Sequence, residues 1–290
     1  MRGRSYLFVP ANRPDRFVKA LQSGADAVII DLEDAVPPQL KIEARATLAA
    51  WLSAAHPVYV RVNGHGSEWH DDDVRAVARE GLRGLVLPKA QEPHRVSQLA
   101  AKLPDSASLL PIVETAQGLW NALEIARCPR VERLAFGHLD FQRDLGIDGE
   151  IEELLCARSH LVLASRLAEV APPLDGITAA LDDTEKLRED VERARRLGFG
   201  GKLCIHPRQV EWVNRGFLPS EKDIEWARRV LAAAEAAGGG AVRMGAEMVD
   251  APVVARAEQI LRLSRMAESQ AGADRAAAGA EPGAGASRQA

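Results

Sequence analysis

The run Ala27-Val-Ile-Ile-Asp-Leu32 sets four consecutive apolar residues directly before the acidic end Asp31-Leu-Glu-Asp34. An unbroken apolar run of this kind suits a strand covered on both faces, as in a parallel sheet, rather than an exposed alternating strand. Outward from it, Ser5-Tyr-Leu-Phe-Val-Pro10 precedes and Val58-Tyr-Val-Arg-Val-Asn63 follows. The rhythm continues through Gly84-Leu-Val-Leu-Pro-Lys89, Ser108-Leu-Leu-Pro-Ile-Val-Glu114 and Arg133-Leu-Ala-Phe-Gly-His-Leu-Asp140. Pro172-Pro-Leu-Asp-Gly-Ile177 and Gly201-Lys-Leu-Cys-Ile-His-Pro207 complete it. Helical patterns fill the intervals at 14–23, 38–54, 72–79, 93–102, 118–126, 151–169 and 184–197. Eight strand-and-helix units predict an α/β fold, a (β/α)8 TIM barrel over residues 1–215. An open doubly wound sheet needs fewer strands. No Gly-x-Gly-x-x-Gly follows the first strand, so a dinucleotide fold has little support.

An extra C-terminal helical segment, 216–268, lies beyond the eighth unit. It must pack outside the barrel or reach a neighbouring subunit. Ser220 is the expected cap of a helix over 221–237, with Asp223 where a capping box usually carries Glu or Gln. Gly238-Gly-Gly240 breaks that helix, and 252–268 reads as a last amphipathic one. The Ala- and Gly-rich tail, 269–290, has no strong apolar period and is expected to be disordered.

The 290 residues are 47% hydrophobic with a formal charge of −4. No basic block dense enough for nucleic acid appears, nor an uncharged stretch long enough to span a membrane. No apolar leader core follows Met1, which predicts a cytoplasmic chain. Cys128, Cys156 and Cys204 are scattered and odd in number, as expected of reduced thiols rather than a disulfide framework or a zinc site.

Barrel chemistry gathers at the carboxyl ends of the strands, and these ends are unusually polar. Glu114 and Asp140 end neighbouring predicted strands, so both can approach one ion while water and substrate oxygens complete an octahedral shell. Oxygen ligands without a Cys or His cluster favour magnesium; one helix cap and one salt bridge is the competing reading. Asp31, Glu33 and Asp34 can hold metal-bound waters, or pair with Arg61 or Lys89. Arg61, expected to point inward between Val60 and Val62, has the shape to grip a carboxylate with two prongs. A structural ion pair with the acids after the second strand fits it equally. Arg13 is a phosphate or acid contact on weaker grounds. His206, before Pro207, reads as a structural residue more readily than as a base. His138 shares a face with Asp140 if the strand continues to Asp140.

The same residues carry a family resemblance. Ser5-Tyr-Leu-Phe-Val-Pro10, Asp31-Leu-Glu-Asp-Ala-Val36, Val60-Arg-Val-Asn63 and Leu87-Pro-Lys89 resemble blocks of the citrate lyase beta subunit family. Ile112-Val-Glu-Thr-Ala-Gln-Gly118, Phe136-Gly-His-Leu-Asp140, Ala157-Arg-Ser159, 201–209 and Met248-Val-Asp-Ala-Pro-Val253 extend the match over about 2–265. The resemblance implies a barrel that assembles as a homotrimer or hexamer. It implies Glu114 and Asp140 as magnesium ligands and Arg61 as the contact to a 2-keto acid such as glyoxylate, pyruvate or oxaloacetate. Asp250 resembles an acid/base supplied by a neighbouring subunit; the residues alone suggest a cap on the final helix. Glu33 and Asp34 would support the chemistry, and Arg13 and Lys89 would meet the cofactor arm.

The implied reaction is magnesium-dependent carbon–carbon cleavage, or formation, of a 3-hydroxyacyl thioester such as malyl-, citramalyl- or citryl-coenzyme A. A malate-synthase-like or malyl-coenzyme A thioesterase activity is one alternative. The beta subunit of a multi-subunit citrate lyase, acting on an acyl-carrier-bound substrate, is another. A phosphoenolpyruvate-using relative or a scaffold without activity fits the intact residues less well. His138 stands where the family usually has a small residue, and Gln142-Arg-Asp144 is bulkier and more charged than usual there. The acid portion is left open, since a methylene is worth only about 1–3 kcal/mol of discrimination.

Overall fold

The computed structural model of the chain describes residues 3–238, 241–244 and 247–278. Eight parallel strands close on themselves in sequence order, with β1 pairing β8. They are β1 (Ser5–Pro10), β2 (Ala27–Asp31), β3 (Val58–Arg61) and β4 (Leu82–Leu87). β5 (Ser108–Val113), β6 (Arg133–Phe136), β7 (Ala171–Asp175) and β8 (Gly201–Cys204) follow. The first helices are α1 (Phe17–Leu21), α2 (Lys41–Trp51), α3 (His70–Val77) and α4 (Pro93–Ala100). The stretch after β5 holds two short helices, α5 (Ala116–Trp120) and α6 (Ala122–Ala126), in place of one. Beyond these come α7 (His138–Leu145), α8 (Leu155–Leu167), α9 (Thr184–Leu197) and α10 (Pro207–Gly216).

Strand alternation divides the core in two. Tyr6, Ile29, Tyr59, Leu110, Ile112 and Leu203 pack together inside the barrel. Their sequence neighbours, such as Leu7, Ile30, Val60 and Leu109, belong to the larger layer under the helices. This is why the apolar runs are continuous: each strand is covered on both faces. The same parity carries inward phase up to the carboxyl ends. Asp31 follows Ile29 by two residues, Arg61 follows Tyr59 and Glu114 follows Ile112, so each continues an inward-facing row.

One strand boundary corrects the sequence reading. β6 stops at Phe136, and Asp140 lies in the first turn of α7. Gly137 makes the break, because a side chain there would collide with the Glu114 carboxylate. His138 and Asp140 are therefore about 200° apart around a helix axis and do not share a strand face.

Among the described residues, 3–217 form one compact unit and those from Leu218 on form another. In the latter, α11 (Glu221–Ala236), the hairpin β9 (Val242–Met244) with β10 (Glu247–Val249), and α12 (Ala251–Ala278) share a small core of Ala227, Val230, Val249 and Ala257. Ser220 and Asp223 do form a capping box, the aspartate accepting the Ser220 N–H at 3.0 Å. α12 runs to Ala278, into the tail expected to lack structure; its Ala-rich composition has high intrinsic helix propensity. The rest of that tail, 279–290, lies outside the described residues. No helix among the described residues is long and apolar enough to cross a membrane.

Candidate active site

A cavity of about 400 Å3 opens at the carboxyl ends of the strands, lined by Phe8, Asp31, Arg61, Glu114, His138 and Asp140 among others. Arg61 is its most constrained cation. Its Nε and Nη2 donate to the two oxygens of Asp31 at 2.7 and 2.6 Å. Nη1 lies 3.0 Å from Glu33 Oε2 and 3.7 Å from Asp34 Oδ2, and the Phe8 ring lies 4.8 Å from the guanidinium carbon. Burial opposes the charge, but Asp31, Glu33 and Asp34 outweigh it and raise the guanidinium's pKa. Of the five N–H donors Asp31 takes two and Glu33 stands against Nη1, which leaves one on each Nη nitrogen for a ligand carboxylate.

Asp31 also accepts the Glu33 and Ala35 N–H groups at 2.9 and 3.2 Å, so one buried carboxylate fixes both Arg61 and the acidic loop. Glu33 accepts Lys89 Nζ at 2.6 Å through Oε1. Burial raises the Glu33 pKa against the opposing pull of Arg61 and Lys89. Asp31 is paired with Arg61 and Glu33 with Lys89, while Asp34 is largely exposed.

Sequence reasoning overlooked Lys41. Buried in the first turn of α2, it donates to the carbonyls of Leu32 and Glu33 and to Asn63 Oδ1, at 2.8, 2.8 and 2.7 Å. Asn63 in turn donates to Asp73 Oδ2 at 2.6 Å, and Asp73 accepts Arg45 Nε at 2.7 Å. This network ties the acidic loop to the end of β3. No local pattern marks a lysine in a helix as the partner of a loop eight residues upstream.

Glu114 is 3% exposed, and its Oε1 accepts the Lys89 N–H at 2.7 Å. Burial, with Glu33 and Asp140 nearby, pushes its pKa up to about 8. Asp140 is part-exposed and paired with Arg143 Nη2 at 2.7 Å. No group of three or more His, Cys, Asp or Glu side chains disposed to hold a metal is present among the described residues. Glu114 and Asp140 line one cavity, and two carboxylates suit an ion that completes its shell with water and ligand oxygens. A buried carboxyl raised by neighbouring carboxylates is also what a cation would relieve.

His138 is buried, and its Nδ1 lies so close to Gly176 that no Cβ fits there. Burial and the charge of Lys202 push its pKa down to about 4, so it is neutral near pH 7. Below it, Lys202 donates to the Gly176 carbonyl at 2.6 Å and Arg158 pairs with Asp175 at 3.0 Å, which fixes the end of β7.

Arg13 and His206 lie apart from this cluster. Arg13 lines an adjoining cavity of about 500 Å3 with Arg16, Lys19 and His206, and pairs with Asp15 at 2.9 Å. His206 Nδ1 accepts the Arg208 N–H at 3.2 Å and so caps α10. Asp250 belongs to the second unit, where its Oδ1 lies 3.4 Å from the Val253 N–H at the start of α12.

An eight-stranded barrel with an arginine and paired carboxylates at its carboxyl end is an enzyme scaffold of the TIM-barrel class. The chain belongs to the HpcH/HpaI aldolase/citrate lyase family, whose model matches residues 4–207. It is 43% identical to a citrate lyase subunit beta-like protein of Deinococcus radiodurans over 275 residues, 89% of this chain and 96% of that one. It is 36% identical to the (3S)-malyl-CoA thioesterase of Cereibacter sphaeroides over 273 residues, 92% and 95% of the two chains. Among solved structures, CitE of Mycobacterium tuberculosis, in complex with magnesium, acetoacetate and coenzyme A, superposes with a TM-score of 0.81. It shares 34% identity, with 90% of this chain and 97% of that one covered.

Proposed function

We propose that this protein is a magnesium-dependent lyase that cleaves, or forms, a 3-hydroxyacyl-coenzyme A thioester between a 2-keto acid and a short acyl thioester. The observation that carries the reading is one cavity in which Arg61 faces Glu114 and Asp140. The magnesium, acetoacetate and coenzyme A bound by the related CitE support the choice of ligands. Glyoxylate, pyruvate and oxaloacetate are the candidate keto acids.

Glu114 and Asp140 would hold the magnesium ion, which when bound supplies Lewis-acid stabilisation of the oxygens that gain charge. Arg61 binds the acid portion's carboxylate, already oriented by Asp31, and stabilises negative charge as the carbon–carbon bond breaks. Glu33 and Asp34 set the field around Arg61. The substrate's hydroxyl proton passes to solvent water, the bond to the thioester's α-carbon breaks, and its electron pair passes into a thioester enolate. Asp250 of a neighbouring copy then protonates that carbon; in condensation it removes the proton. Arg13, with Arg16 and Lys19, offers positive charge to the coenzyme's phosphates in the adjoining cavity. The family resemblance implies a homotrimer or hexamer for such a shared site, and complementation tests the sharing. Mixed assemblies of Arg61→Ala and Asp250→Asn chains are expected to regain part of the activity that each lacks alone. No regain on co-refolding would place Asp250 outside the site.

A thioesterase is the second reading, favoured by the relative of that activity. Cleavage of a panel of malyl-, citramalyl-, methylmalyl- and citryl-coenzyme A separates the two and names the acid. The lyase releases keto acid without free thiol; thiol rising with acid release would select the thioesterase. Failure with the whole panel would contradict a coenzyme A substrate.

A further inference from the structure

Lys89 meets two carboxylates of the site at once. Its backbone N–H donates to Glu114 Oε1 at 2.7 Å, while its ammonium donates to Glu33 Oε1 at 2.6 Å. It does so from a backbone angle of +50°, in the left-handed region that side chains avoid. Pro88 before it completes the residue pattern of a type II turn, whose third position ordinarily holds Gly or Asn. A lysine there is strained relative to glycine, and strain of this kind persists where the surroundings over-determine it. The turn ends β4 and aims the N–H across to the residue after β5.

We propose that Lys89 is a positioning residue whose ammonium acts as a resident counter-ion, holding Glu33 away from Glu114 so that Glu33 does not become a third carboxylate on the cation. The inference rests on the two-carboxylate reading above. Lys89 brings both carboxylates onto one residue, its ammonium on Glu33 and its N–H on Glu114, and after burial the charges of Glu33 and Asp140 raise the Glu114 pKa. Lys89 Nζ and Arg61 Nη1 hold Glu33 from two sides, at 2.6 and 3.0 Å. Without the ammonium, Arg61 alone restrains Glu33, which can then swing toward the cation, and one repelling positive charge is gone. Both changes tighten cation binding, and a third protein ligand removes a coordination position that substrate oxygens need. The ammonium does this work on Glu33, not on the coenzyme.

The test uses full-length protein stripped of metal, with Mn2+ binding read by electron paramagnetic resonance and coenzyme A binding by calorimetry. Lys89→Gly suits the +50° turn and keeps the N–H to Glu114; relief of the left-handed strain offsets part of the lost Glu33 ion pair, so a modest fall in melting temperature is expected. It is expected to bind Mn2+ about three- to tenfold more tightly, the effect of losing one nearby positive charge. Its coenzyme A affinity should stay within about twofold of the wild type, well under the tenfold that 1.4 kcal/mol represents. Lys89→Arg restores the charge and should return Mn2+ affinity toward the wild-type value. A merely structural lysine would not tighten metal binding on removal. Unchanged or weaker Mn2+ binding by Lys89→Gly overturns the inference, as does a selective loss of coenzyme A affinity. Wild-type protein that binds no Mn2+ would sink the reading of the metal site itself, and the inference with it.

Discussion

Arg61→Ala is expected to lower kcat/KM for thioester cleavage by about a thousandfold, the scale seen when a group that stabilises a developing oxyanion is removed. The guanidinium is aligned by two hydrogen bonds to Asp31 before any ligand arrives, so its loss removes both a binding contact and a preorganised charge. Stability falls as well. Asp31 is 1% exposed, and deleting its partner leaves a buried carboxylate uncompensated, a loss of about 3–5 kcal/mol. Arg61→Lys separates the two effects. It keeps a charge beside Asp31 but lacks the planar fork, so most of the stability should return while activity stays at least about tenfold down. Steady-state kinetics and urea unfolding of both variants check this. An alanine variant within tenfold of wild type would remove Arg61 from the reaction.

Glu114→Gln should act in the opposite sense on stability and cation binding. The glutamine keeps the size and can still accept the Lys89 N–H, but it removes a carboxylate that burial, Glu33 and Asp140 hold up near 8. Mn2+ affinity is expected to fall at least about a hundredfold with the loss of one of two anionic ligands, equivalent to about 2.7 kcal/mol. Metal-free stability is expected to rise. Below the unfolded carboxyl value Glu114 is protonated in both states. As the pH rises toward about 8 the unfolded chain releases that proton while the folded chain keeps it, so wild-type stability declines across this interval and levels above it. Urea unfolding in chelator at pH 5 and pH 8 should show the decline in wild type and a shallower one in Glu114→Gln. Parallel pH profiles would mean that Glu114 is ionised in the fold and that the crowding of carboxylates is already relieved.

Much of this site was legible because a barrel turns strand alternation into geography. Arg61 and Glu114 each continue an inward row, two residues past Tyr59 and Ile112, and their place at the cavity could be read from phase and charge. Asp140 was placed by the same logic on a strand that ends at Phe136. The break depends on Gly137 passing against the Glu114 carboxylate, a contact between distant segments that no local pattern reports. Lys41 was missed for the same reason: its partners are loop carbonyls and Asn63, which the fold alone brings together. Lys89 was expected to meet the cofactor arm or to pair with the acids after β2; its ammonium reaches Glu33 from a left-handed turn that the residues alone do not announce. For Asp250 the residues suggested a helix cap, and only the family resemblance suggested chemistry.

The central claim is that a magnesium site beside Arg61 drives carbon–carbon cleavage. Its most direct test is the release of 2-keto acid from the best substrate of the panel by metal-stripped protein, before and after magnesium is added. The account predicts no detectable keto acid in chelator, recovery on adding magnesium, and no matching release of free thiol. Keto acid formed at the same rate in chelator, or thiol released one for one with it, would contradict it.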